Sequence, residues 1–132
     1  MPGEDRLIGR GVSYCALCDG NFFRGRNVAV IGGGNSALEE ALYLSRLVNK
    51  VYLIHRREDF RGQVCYQDKC FTNQKIEVIR KTVVDEILGE SDVEALALRN
   101  VESGEQSRLE LDGVFIFIGF EPIIDFVPED IR

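Results

Sequence analysis

The stretch "NVAVIGGGNSALEEALYLSRLVNKVYLIHRR", residues 27–57, constrains this chain more than any other. Residues 28–31 are a short unbroken apolar run, the pattern of a strand buried on both faces. Gly32, Gly33 and Gly34 interrupt it. From 35 to 48 the apolar positions Ala37, Leu38, Ala41, Leu42, Leu44 and Val48 fall on one broad helical stripe. Asn35 or Ser36 can serve as N-cap, and Glu39 and Glu40 lie in the early turns, where the helix dipole favours anions. Residues 51–54 repeat the buried-strand pattern. Strand, glycine turn, helix and strand predict a βαβ unit, parallel and right-handed.

Beyond it, residues 61–73 carry a weaker helical pattern. Residues 75–89, 92–111 and 112–119 read as strands, with turns at Gly89, Ser103–Gly104 and Asp112–Gly113. The connections are too short for helical crossovers, so two or three of these strands are expected to form an antiparallel meander. The run 114–118 is apolar enough to return to the parallel sheet. The expected fold class is therefore α/β in three layers: a central parallel sheet, helices on one face and a β-meander on the other. Residues 1–26 hold many glycines and little periodicity, and read as a lead-in rather than a strand–helix unit.

The glycine turn fits Gly-x-Gly-x-x-Ala, from Gly32 through Gly34 to Ala37. Gly32 permits the tight turn off the strand, Gly34 lets a pyrophosphate approach the backbone, and Ala37 lets the helix pack closely on the sheet. A glycine-rich turn can also be purely structural, but this one follows a buried strand and opens a helix, the context that marks a dinucleotide site. An acidic residue at the end of the second strand would bond the ribose hydroxyl of NAD. Here that place holds His55, Arg56 and Arg57, with Arg61 four residues after Arg57. Guanidinium groups suit a phosphate, whereas the bland alternative is a solvated basic patch at a strand end. The reading is NADP(H) rather than NAD(H).

A length of 132 residues suits one domain, and 45% hydrophobic content is enough for a core. The formal net charge of −6 argues against a nucleic-acid binder. No apolar run approaches the roughly 20 residues of a membrane span, and no signal peptide is visible, so a reducing cytosol is the expected location. There a Cys-x-x-Cys such as "SYCALCDG", residues 13–20, serves redox chemistry or metal more often than cross-linking. Zinc would need two more ligands, and Cys65 and Cys70, five residues apart, would point about 140° apart on a helix. A structural pair of small buried residues is the other alternative. A redox dithiol is favoured because the pair lies close to a nucleotide fold that brings an electron donor. Asp19, directly after Cys18, can carry protons to and from a departing thiolate, although Asp-Gly is also an ordinary turn. Cys65 and Cys70 read as bystanders.

The run "CALCDGNFFRGRNVAVIGGGNSALEEALYLSRLVNKVYLIHRREDFR" resembles the NADPH-binding domain of low-molecular-weight thioredoxin reductases, and "GVFIFIGFEP" is similar to the strand that closes that domain. The resemblance implies a Rossmann-like FAD/NAD(P)-binding three-layer ββα fold and a redox-active disulfide between Cys15 and Cys18. It implies Asp19 as proton donor, Cys18 facing the flavin and Cys15 attacking the partner. It further implies NADPH phosphates at Gly34, Asn35 and Ser36, the 2′-phosphate on Arg56, Arg57 and Arg61, and Glu39 with the Ile118–Gly119 turn near the nicotinamide. Thioredoxin or a similar disulfide protein would be the partner, and the parent a homodimer.

Leu17 departs from the threonine common in the family, and residues 62–73 depart from the usual helix with two extra cysteines. Only one glycine-rich turn is present, and the family's FAD domain is split around its NADPH domain. The chain is thus expected to be that inserted domain alone: lead-in 1–26, nucleotide-binding core 27–119, and tail 120–132 toward an FAD domain. Alternatives are a related flavoprotein serving a peroxidase partner, or an NADP(H)-binding module without turnover.

Overall fold

Successive side chains of a strand point to opposite faces, so an unbroken apolar run needs two cores to bury it. The computed structural model, which describes residues 2–58, 60 and 64–117, supplies both. Its first elements are a short strand β1 (Val12–Ser13), a one-turn helix α1 (Ala16–Asp19) and a 3₁₀ turn (Gly20–Phe23). The βαβ unit follows as β2 (Asn27–Ile31), α2 (Asn35–Ser45) and β3 (Lys50–Ile54). Then come α3 (Val64–Phe71), β4 (Ile76–Ile79), β5 (Thr82–Leu88), β6 (Ala95–Asn100), β7 (Gln106–Glu110) and β8 (Gly113–Ile116).

The central sheet runs β1-β8-β2-β3-β4 with every pairing parallel. The meander β5-β6-β7 is antiparallel. From β2, Val28 and Val30 enter the core shared with α2 and α3, while Ala29 and Ile31 enter the core shared with the meander. Phe115 of β8 joins the first, where its ring meets Phe23 edge-on, and Val114 and Ile116 join the second. The three expected layers are thus present.

Three local readings differ. The lead-in contributes a strand: Val12 and Ser13 pair with Val114 and Phe115, and Leu7 and Val12 are buried under the meander. Two residues are too few to show a period, which is why glycine content dominated the sequence pattern. Helix α2 is capped by Gly34 rather than by Asn35 or Ser36, and it ends at Ser45 rather than Val48. The Ser45 hydroxyl turns back to donate to Leu42 O at 2.7 Å, a bond that competes with helix continuation. Residues 76–79 belong to the parallel sheet, so the meander takes only the three strands after them.

Candidate active site

The glycine turn is shaped by what surrounds it. Gly32 has φ +145°, and a side chain there would press on Ala37 Cβ at 3.0 Å. This is the close turn-to-helix packing expected of the small-residue pair. Gly33 is needed for a different reason. A Cβ at Gly33 would lie 2.4 Å from Cε1 of His55. The His55 ring is 6% exposed, lies 4.8 Å from the Phe60 ring, and is carried on backbone bonded to Ile79 O and Thr82 N. His55 is therefore the floor of the glycine turn, while Arg56 and Arg57 beside it are exposed.

With the ring boxed in, Gly33→Ala is expected to cost about 1–3 kcal/mol of stability. Chemical denaturation checks this, and an unchanged midpoint would show that the ring moves aside without cost.

Beyond the turn, Gly34 caps α2 and accepts from the Leu38 amide at 3.1 Å. Asn35, Ser36 and Glu39 are exposed on the first turns. Tyr66 of α3 donates its hydroxyl to Glu39, which holds the phenol proton more tightly than usual. Glu40, the next residue, accepts from the Ala16 amide, and burial raises its carboxyl above the usual range. Glu40 lies about 9 Å along the helix from Gly34, at 1.5 Å per residue. One helix therefore spans from the glycine turn to the thiol segment.

In that segment Cys15 and Cys18 form a disulfide with Cα atoms 5.3 Å apart, inside the ordinary range. Cys15 is also the N-cap of α1, its Sγ accepting from the Cys18 amide at 3.2 Å. Cys15 is half-buried, and Cys18 and Asp19 are exposed. Cys65 and Cys70 take no part in the disulfide. Cys65 is exposed, whereas Cys70 is buried, donates to Leu38 O at 3.5 Å, and has its thiol pushed up to about 11 by burial. Among the described residues no group of three or more metal-ligating side chains is gathered.

The site thus collects Gly32, Gly34, Asn35, Ser36 and His55 around one turn and Cys15, Cys18 and Asp19 around another. Arg61, Ile118 and Gly119 lie outside the described residues. Two members were missed by the sequence reading. Gly33 looked like the variable middle of its motif. Ser13 looked like lead-in, yet its buried hydroxyl touches both Cys15 and Asp19.

Residues 1–131 match the family model described as pyridine nucleotide-disulphide oxidoreductase. The chain is 45% identical over 129 residues to the thioredoxin reductase of Treponema pallidum, covering 98% of this chain and 42% of that protein. It is 49% identical over 122 residues to the bifunctional thioredoxin reductase/thioredoxin of Mycobacterium leprae, covering 92% of this chain and 27% of that protein. The crystal structure of Lactococcus lactis thioredoxin reductase superimposes with a TM-score of 0.90 at 43% identity, over 98% of this chain and 43% of that one. The chain therefore spans about two-fifths or less of the length of these relatives. It belongs to the pyridine nucleotide-disulphide oxidoreductase family, and within that family it resembles the thioredoxin reductases.

Proposed function

We propose that this chain is the NADPH-binding and dithiol/disulfide unit of a flavin-dependent thioredoxin reductase. An electron pair from NADPH would reach Cys15–Cys18 through FAD held elsewhere in the protein, then leave to the disulfide of thioredoxin. The observation that carries this reading is α2 itself: its capped end opens at the glycine turn, and its Glu40 is bonded to Ala16 between the two cysteines. A nucleotide turn at the start of a helix and a disulfide segment bonded to that same helix suit a protein that moves electrons between them.

The residues present fit NADPH. The turn offers backbone without a side chain at Gly34, and Asn35 and Ser36 are exposed in the first turn of a helix long enough to hold phosphates at its N-terminus. Arg56 and Arg57, with Arg61, would take the 2′-phosphate, while Glu39 and the Ile118–Gly119 turn would adjoin the nicotinamide. Bound there, NADPH would supply the electron pair as hydride, and a flavin would be the intermediary through which sulfur receives it. Cys15 and Cys18 open to the dithiol, Asp19 exchanges a proton with them, and Cys15 attacks the partner disulfide. A reducing cytosol suits this cycle, because thiols persist there.

The 132 residues purified alone should bind NADPH, stay colourless, and consume none of it with thioredoxin present. The full-length protein should be yellow and should reduce thioredoxin. A visible spectrum followed by NADPH oxidation decides it. Flavin bands on the 132 residues, or a full-length protein that leaves thioredoxin oxidised, would overturn the reading.

A further inference from the structure

Four polar side chains are buried among the described residues: Ser13, Ser45, His55 and Thr82. His55 floors the glycine turn. Ser45 and Thr82 donate to carbonyls within their own segments, at Leu42 and Arg80. Ser13 is different, because its partners are the thiol segment itself. Its Oγ accepts from the Cys15 amide at 3.1 Å and lies 2.5 Å from Asp19 Oδ2 and 3.3 Å from Cys15 O. A serine hydroxyl has one proton to give. The short contact to the carboxylate is the charge-assisted one, so the proton points to Asp19 and a lone pair takes the Cys15 amide.

The placement of that oxygen is not left to the loop. Ser13 is 5% exposed and lies on β1, registered against Phe115 of the central sheet. Asp19 by contrast is exposed, at the end of a one-turn helix. Without a partner its carboxylate would sample several rotamers in water. The hydroxyl fastens it to the sheet and to the backbone of the first cysteine at once.

We propose that Ser13 is the positioning residue for Asp19 in thiol–disulfide exchange, holding the carboxylate where it takes and returns the Cys18 proton. The proposal rests on the dithiol reading above. In the step concerned, the Cys15 thiolate attacks one sulfur of a protein disulfide. A mixed disulfide forms, the partner's S–S bond breaks, and the first partner thiolate takes a proton from water. Cys18 gives its proton to Asp19 and attacks Cys15 Sγ. The Cys15–Cys18 bond closes, the second partner thiolate leaves, and Asp19 returns the proton to it. Two electrons and two protons end on the partner, and Asp19 is again a carboxylate.

The test uses the full-length, FAD-loaded protein with Ser13→Ala, Ser13→Thr, Asp19→Asn and the double variant Ser13→Ala/Asp19→Asn. General acid–base groups contribute about 10²–10⁴-fold, and mispositioning one should forfeit about tenfold of that. Ser13→Ala should lower kcat for thioredoxin reduction about tenfold, leaving KM for NADPH and the reduction of ferricyanide unchanged. Ser13→Thr, which keeps the hydroxyl, should recover most of the rate, and the double variant should be no slower than Asp19→Asn alone. Wild-type kcat in Ser13→Ala, a loss in Ser13→Thr equal to that in alanine, or multiplied losses in the double variant would overturn the proposal. Should Ser13→Ala fail to fold, the Ser13→Thr rate still decides. Thioredoxin reduction that persists in Cys15→Ser would instead sink the dithiol reading, which separates the two failures.

Discussion

Replacing either Cys15 or Cys18 by serine in the full-length protein is expected to reduce thioredoxin reduction at least about 10³-fold, as loss of a covalent nucleophile does elsewhere. Two electrons must leave together, and only the closing of a second S–S bond lets them. On the proposed roles, with Cys15 gone no thiolate would attack the partner. With Cys18 gone the attack would succeed, but the mixed disulfide would have no internal thiol to resolve it, so the protein should accumulate joined to its partner. The fold should survive in both cases. Cys15 caps α1 through a single acceptor contact from the Cys18 amide, which a serine oxygen can replace, and Cys18 is exposed. NADPH oxidation with ferricyanide should persist, since it does not need sulfur. Steady-state assays with both acceptors check this. Residual thioredoxin turnover above about one hundredth of wild type would show that the electrons take another route.

The parts of this molecule that repeat along the chain were legible in its sequence. Residues 28–31 and 114–116 are continuous apolar runs because each strand lies between two cores. The glycine turn was legible as well, since a motif placed between a strand and a helix carries its context with it. What escaped depends on register and chain reversal. Gly33 is forced by the His55 ring, and the two meet only because β2 and β3 pair with Ile31 against Ile54. Ser13 reaches Asp19 only because α1 turns the chain back by one turn, and its burial depends on β1 docking on β8. Both residue types are common in loops, so composition gave no signal. The end of α2 was misplaced because Val48, buried and in phase with the stripe, remains attached through its amide to Leu44 O after the helix has ended.

The wild-type protein is expected to prefer NADPH to NADH, and Arg56→Ala/Arg57→Ala to remove most of that preference. Hydrogen bonds to charged groups contribute about 1.5–3 kcal/mol each. Two would give roughly 3–6 kcal/mol in a dry site, but both arginines are exposed, so solvent screening favours the lower end, a loss of about 10²-fold in NADPH affinity. NADH, which has no 2′-phosphate, should bind the double variant as it binds the wild type. The neighbourhood supports a local anion site despite the chain's net charge of −6. Two carboxylates, Glu58 and Asp59, follow the arginines in sequence, and Glu58 is already engaged: Lys81 Nζ lies 3.6 Å from one oxygen and Arg80 Nε 3.9 Å from the other. Arg80 is itself held over the rings of Phe60 and Phe71, at 5.5 and 4.8 Å. The Lys81 amide donates to Arg57 O at 3.3 Å, so the backbone carrying the arginines is tied to the same turn. A 2′-phosphate at Arg56 and Arg57 would therefore meet two cations beside Glu58, a carboxylate that Lys81 and Arg80 partly offset. Titrating both cofactors against both proteins at two salt concentrations is the measurement. The NADPH advantage should shrink as salt rises, because screening acts on exposed charges. Equal affinity of the wild type for NADH and NADPH would mean that the basic cluster is only a solvated strand end.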